Sequence, residues 1–313
     1  MRRLLALAML LVFGGGVHVQ AGAQQIDFKR ESRSGDEKLA FRWRDLDKRE
    51  YTTAFTLTKA AIAQSETSFR EFTLNAMWRI NEADLYDEAQ KFGRGTRLEL
   101  SRTREGLRWT VQASDQATAD LLMQKIKARL ARSEKEYLAG HLRHRVDAHR
   151  IMVDFPAATQ ALQGPMTAVA RALGATPNIA DNDRARIALA LAFFQEVPYA
   201  VLEDKDRRGG DFLPAAALLA QNRGDCDSKA VALAAVLRTY SPWRKFVVVT
   251  MPEHAILAVD LPAEPGDQTI RGQARQYVAL EAAGPALAPV GRVGSHTAKY
   301  LKEARETEIW PLN

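Results

Sequence analysis

Few residues in this chain are suited to covalent chemistry. Cys226 is the only cysteine among 313 residues. It sits in NRGDCDSKAVALAAVLR, Asn222 to Arg238, where Gly224 and Asp225 read as a turn and a helix cap. From Ser228 onward the spacing of Ala230, Leu233, Ala234 and Leu237 is helical. Cys226 is therefore expected in the first turn of a buried helix, near the positive end of its dipole. That placement lowers a thiol pKa to about 3.5–7.5, against about 8.5 for a free thiol, and a thiolate is a nucleophile. The bland alternative is a small buried residue, since free cysteine is among the most buried types.

A thiol nucleophile needs a base, and a base needs an orienting group. His254 opens the strand-like run HAILAVDL, and Glu281 closes RQYVALE. Antiparallel pairing that sets His254 opposite Glu281 also matches Ile256 with Ala279 and Leu257 with Val278. It leaves PAEPGDQTIRGQ as the connecting loop, rich in turn residues. A carboxylate beside the imidazole fixes its tautomer and stabilises its charged form. Asp260 is the rival acid, but it lies about 20 Å along the same strand.

The elements that would position these groups follow from periodicity. Leu39–Trp43 and Tyr51–Thr58 read as strands and Phe69–Phe92 as a helix. Thr96–Ser101 and Gly106–Gln112 form a hairpin, and Ser114 caps a long helix running through Tyr137. Residues 151–180, with Pro156, Gly164, Pro165, Gly174 and Pro177, read as a connector holding a short helix. Asp183 opens the helix RARIALALAFFQEV, which Pro198 stops. The polar loop EDKDRRGGD, a short helix over 214–220 and the strand run KFVVVTM complete the set. The expected organisation is a smaller α+β domain at 24–150, the connector at 151–180, a second α+β domain at 181–295 and a tail at 296–313.

The N-terminus places Arg2 and Arg3 before the apolar Leu4–Phe13 and the small residues Ala21-Gly22-Ala23. This pattern reads as a signal peptide over residues 1–23 and implies export, most simply to a periplasm. The stretch is too short and glycine-broken for a membrane span. With one cysteine there is no disulfide framework, so the fold must rest on its core. Hydrophobic content of 46% and charged content of 26% are ordinary for a globular chain. The formal charge of +6 includes Arg2 and Arg3, so the mature form is near +4, which discriminates little among partners. No nucleic-acid partner and no cofactor are expected. His141, His144, Asp147 and His149 lie close in sequence, but Arg143, Arg145 and Arg150 interrupt them with repelling charge, so no metal site is expected.

Taken together, GDCDSKAVALAAVLR, EHAILAVDLP and YVALEAAGP resemble the transglutaminase-like superfamily, over roughly residues 180–295. FFQEVPYAV is similar to the segment such domains place before the cysteine helix. The resemblance implies a papain-like core in which a cysteine-bearing helix packs on an antiparallel sheet. It implies Cys226 as nucleophile, His254 as general acid/base and Glu281 as orienting acid, where the family usually has aspartate. Gln195 is then the candidate side-chain donor to an oxyanion, beside the Cys226 backbone N–H. The implied activity is that of an exported cysteine peptidase, amidase or acyltransferase, acting on a protein or peptide substrate of the cell envelope. A non-catalytic binding scaffold on the same fold is the alternative.

Overall fold

The computed structural model describes residues 25–312 apart from 71, 104–105, 149, 203–211, 273 and 304–305. The expected signal peptide, His149 and the loop EDKDRRGGD lie outside the described residues.

Strands β1 (Asp27–Arg33), β2 (Asp36–Arg44) and β3 (Glu50–Thr58) form an antiparallel meander. Alternation dictates it: β2 turns Leu39, Phe41 and Trp43 inward, with Glu37 in the same phase, and Lys38, Arg42 and Arg44 outward. Helix α1 (Lys59–Arg70) follows β3 directly, with the Thr58 hydroxyl accepting from the Ala61 N–H at 3.1 Å. The helix expected over 69–92 is thus two elements, because Thr73 caps a fresh start for α2 (Leu74–Gln90) by accepting from Ala76 N–H at 3.0 Å. Strands β4 (Arg97–Thr103) and β5 (Gly106–Gln112) make the expected hairpin. The long helix α3 (Gln116–Gly140) is capped by Asp115, which accepts from Thr118 N–H at 2.8 Å, and not by Ser114.

A two-stranded pair, β6 (Arg143–Arg145) and β7 (Ile151–Val153), leads into α4 (Phe155–Gly174). This 20-residue helix replaces the expected connector. Its prolines misled the reading: Pro156 occupies the first turn, where a missing N–H costs nothing, and Pro165 is tolerated inside. The stronger signal is the buried row Ala158, Leu162, Met166, Val169 and Leu173. Helices α5 (Asp183–Glu196), α6 (Ala215–Gln221) and α7 (Cys226–Tyr240) follow.

Strands β8 (Phe246–Met251), β9 (His254–Val259), β10 (Thr269–Arg271) and β11 (Gln276–Leu280) precede α8 (Ser295–Glu303) and β12 (Glu308–Leu312). They form one antiparallel sheet of order β10-β11-β9-β8-β12. Residues 296–313 are therefore not a tail, because β12 is an edge strand paired with β8 and α8 packs Tyr300 and Leu301 on the sheet. The architecture is α+β with antiparallel sheets, as expected. The boundary at residue 150 does not separate two cores. Leu39, Phe41, Trp43, Phe55 and Leu57 of the first meander share one apolar core with α4, α5, α6, α7 and the inner face of the five-stranded sheet.

Candidate active site

Helix α7 is buried on every side from Ala230 to Leu237, so its axis is held between the sheet and the other helices. Its start is set by Asp225, whose carboxylate accepts from Ser228 N–H at 3.2 Å. Gly224, just before that cap, is buried against α6; a Cβ there would lie 2.6 Å from Leu218 Cδ1. Glycine thus lets α6 and α7 approach closely, which leaves Cys226 at the mouth of α7, half-buried and beside Tyr199.

The electrostatics of that mouth run against the sequence expectation. Burial pushes the Cys226 thiol up to about 12, and the Asp227 and Asp225 carboxylates push the same way. The N–H groups of Ala255 and Asp227 face the sulfur and pull downward, but more weakly. The dipole at the helix start is outweighed, so the resting thiol is protonated at neutral pH.

The His254–Glu281 pair forms as expected, with imidazole Nε2 and carboxylate Oε1 2.8 Å apart. It forms in a different register. Strands β9 and β11 pair Leu257 with Leu280, Ala258 with Ala279 and Val259 with Val278. Extending that register sets Glu281 opposite Ile256, two positions from His254. A two-residue shift preserves the face of every side chain, so Glu281 still stands on the His254 side, as a diagonal neighbour. Glutamate's extra methylene spans the diagonal. Apolar residues match equally well in either register, because alanine, valine and leucine recur in both strands without a distinguishing mark.

The face matters for the thiol. Ala255, Leu257 and Val259 point into the core against α7, whereas Ile256, Ala258, Tyr277 and Ala279 belong to the opposite face under α8. By alternation His254 stands on the α8 side, at the rim where β9 begins. The sulfur faces the Ala255 N–H on the core side while the imidazole stands on the α8 side, and no hydrogen bond joins them among the described residues. Because an ionised carboxylate only accepts, Nε2 carries its proton toward Glu281, and Nδ1 is the nitrogen free to take another.

Gln195 is not an oxyanion donor. It is buried, and its Nε2 donates to the carbonyls of Glu281 at 2.7 Å and Ala288 at 3.0 Å, while its Oε1 accepts from Ala288 N–H at 3.3 Å. Both amide protons are engaged in pinning the loop after β11 to the end of α5. Gly284 tightens the same junction, since a Cβ there would come within 2.3 Å of the Gln195 carbonyl oxygen. Lys229, one turn beyond Cys226, is buried and donates to the carbonyls of Val197 and Ala283. Burial lowers its amine to about 7. Glu196 is buried beside this pin with neither carboxylate oxygen hydrogen-bonded among the described residues, and burial raises it to about 7.

Two residues near the dyad escaped the sequence reading because residues 296–313 read as a tail. The Thr297 hydroxyl donates to Glu281 Oε2 at 2.7 Å, and the His296 ring lies 6.4 Å from that of His254. Both belong to the first turn of α8 and line a cleft of about 580 Å³ with His254, Glu281, Leu287 and Val293. No polar periodicity marked them. Elsewhere, His141 packs against Tyr137 and His144 against Trp310, so the two imidazoles serve separate packing contacts. Among the described residues no group of three or more His, Cys, Asp or Glu side chains is placed to hold a metal ion. No helix of the described residues is long and apolar enough to cross a membrane. No protein family, curated protein or solved structure gives a match to this chain.

Proposed function

We propose that this protein is a transglutaminase-like thiol enzyme in which Cys226 attacks an amide or ester carbonyl, with His254 as general acid/base and Glu281 orienting it. The observation that carries the reading is the His254–Glu281 pair at 2.8 Å, with the peptide after His254 facing the sulfur at the start of α7. The proton moves as the bond forms: sulfur attacks the carbonyl carbon while its proton passes to His254 Nδ1, and a standing thiolate is not required. The tetrahedral oxyanion is stabilised by the backbone N–H of Cys226, one of the N–H groups a helix leaves unpaired at its start. His254 then gives its proton to the leaving amine, and a thioester to Cys226 remains. Water attacks that thioester with His254 as base, which releases the acid and restores the thiol. Hydrolysis is favoured over amine transfer because water is abundant and no side-chain set marks an amine site. The proposed setting is the cell envelope, reached by export, with a protein or peptide substrate. Profiling envelope protein termini in cells carrying wild type or Cys226→Ala tests this; new termini confined to wild type support it, and identical profiles contradict it.

A non-catalytic scaffold is the second reading, favoured by one observation: a protonated thiol that makes no hydrogen bond to the imidazole. It predicts that Cys226→Ala performs the natural function as wild type does.

A further inference from the structure

We propose that Thr297 is a positioning residue of this site: its hydroxyl, presented by the first turn of α8, holds Glu281 in the conformer that faces His254. The inference rests on the thiol-enzyme reading for its kinetic consequence, though the geometry stands without it. Glu281 does not lie directly across from His254, so it must reach diagonally with a side chain that has several rotatable bonds. Its two oxygens are divided between two partners, Oε1 with His254 Nε2 at 2.8 Å and Oε2 with the Thr297 hydroxyl at 2.7 Å. Anchoring at both oxygens leaves the carboxylate no freedom to turn away. Thr297 is only 2% exposed, so water does not compete for its hydroxyl, and its branched Cβ restricts χ1. The helix that presents it is itself anchored, with Tyr300 and Leu301 packed on the sheet face beneath. Among the described residues the Thr297 hydroxyl bonds to neither the sulfur nor the imidazole, so it acts through Glu281.

The test uses the full-length chain with Thr297→Val and Thr297→Ser, assayed on p-nitrophenyl acetate as a generic acyl donor. NMR in parallel follows the His254 Nε2–H resonance. Loss of one hydrogen bond to a buried carboxylate should lower kcat about tenfold for Thr297→Val and leave KM nearly unchanged. The His254 N–H resonance should broaden into solvent exchange in Thr297→Val and persist in Thr297→Ser, which should also keep wild-type kcat. A purely structural threonine would change thermal stability without selectively exposing that proton. If Thr297→Val does not fold, Thr297→Ala, which leaves a smaller group at the same place, is read by the same two criteria. A valine or alanine variant that keeps both the resonance and kcat overturns the proposal, as does a serine variant that loses both. Wild type that fails to turn over the ester contradicts the thiol-enzyme reading instead, and the NMR comparison still decides the role of Thr297.

Discussion

At the scale of single residues, the proposed chemistry turns on a thiol that burial holds protonated at rest. Burial and the flanking Asp227 and Asp225 raise Cys226 to about 12, so its thiolate fraction grows with pH only in the alkaline range. Alkylation by iodoacetamide at pH 7 should therefore run at least about a hundredfold slower than for a free cysteine, and should climb steadily to the highest pH the fold tolerates. A plateau reached below pH 8 would show a stabilised thiolate and overturn this electrostatic account. Glu281 carries a second expectation from its register. Because it reaches His254 along a diagonal, Glu281→Asp should be about as damaging as Glu281→Gln, each lowering kcat on the order of 10²-fold or more, as expected for a lost orienting acid. An aspartate variant with wild-type turnover would show that the extra methylene has no role.

At the scale of elements, the site is a junction of four: the start of α7, the start of β9, the loop after β11 and the first turn of α8. The loop is the least regular of them and is held by Gln195, Lys229 and the close approach of Gly284 to the end of α5. Gly284 has φ of +63° and no room for a Cβ, so Gly284→Ala should cost about 2–4 kcal/mol from backbone strain and overpacking together. Thermal unfolding measures this; an unchanged midpoint would mean the loop is not held there. Much of this junction was legible in the sequence. The apolar spacing after Asp225 identified α7, and the short, largely apolar runs identified β8, β9 and β11. Registers and partners were not legible, because an Ala/Val/Leu-rich strand slides by two residues without changing which face is apolar. The role of Gln195 was hidden for a related reason, since a glutamine at a helix end carries no sign of the distant carbonyls it will meet. Thr297 was hidden because α8 is short and polar, and only the sheet beneath gives it a buried face.

At the scale of the whole molecule, one core joins the N-terminal meander to the helices and the five-stranded sheet, and two ionisable side chains, Glu196 and Lys229, are buried with it. Glu196 titrates near 7 in the fold against 4.5 ordinarily, so between those values the folded state holds a proton that the unfolded chain has released. Its stabilising contribution is complete below pH 4.5 and is lost as pH rises through 7. Lys229, lowered from 10.5 to about 7, works oppositely: the unfolded chain binds the extra proton in that interval, so stability recovers from pH 7 toward 10.5. Glu196→Gln should abolish the decline between pH 4.5 and 7 and raise stability at neutral pH by on the order of 2 kcal/mol, read by urea denaturation at pH 5 and pH 7. A wild-type protein equally stable at both values would contradict the raised Glu196 carboxyl. Lys229 pins the loop that carries Glu281 to the helix that carries Cys226, so the integrity of the core and the geometry of the site are one property. The most direct test of the central claim is intact-protein mass spectrometry after brief exposure of the full-length chain to p-nitrophenyl acetate. The account predicts an acetyl adduct on Cys226, labile to hydroxylamine as a thioester is, and strongly reduced in His254→Ala. No adduct on Cys226, or one that forms equally fast without His254, would contradict it.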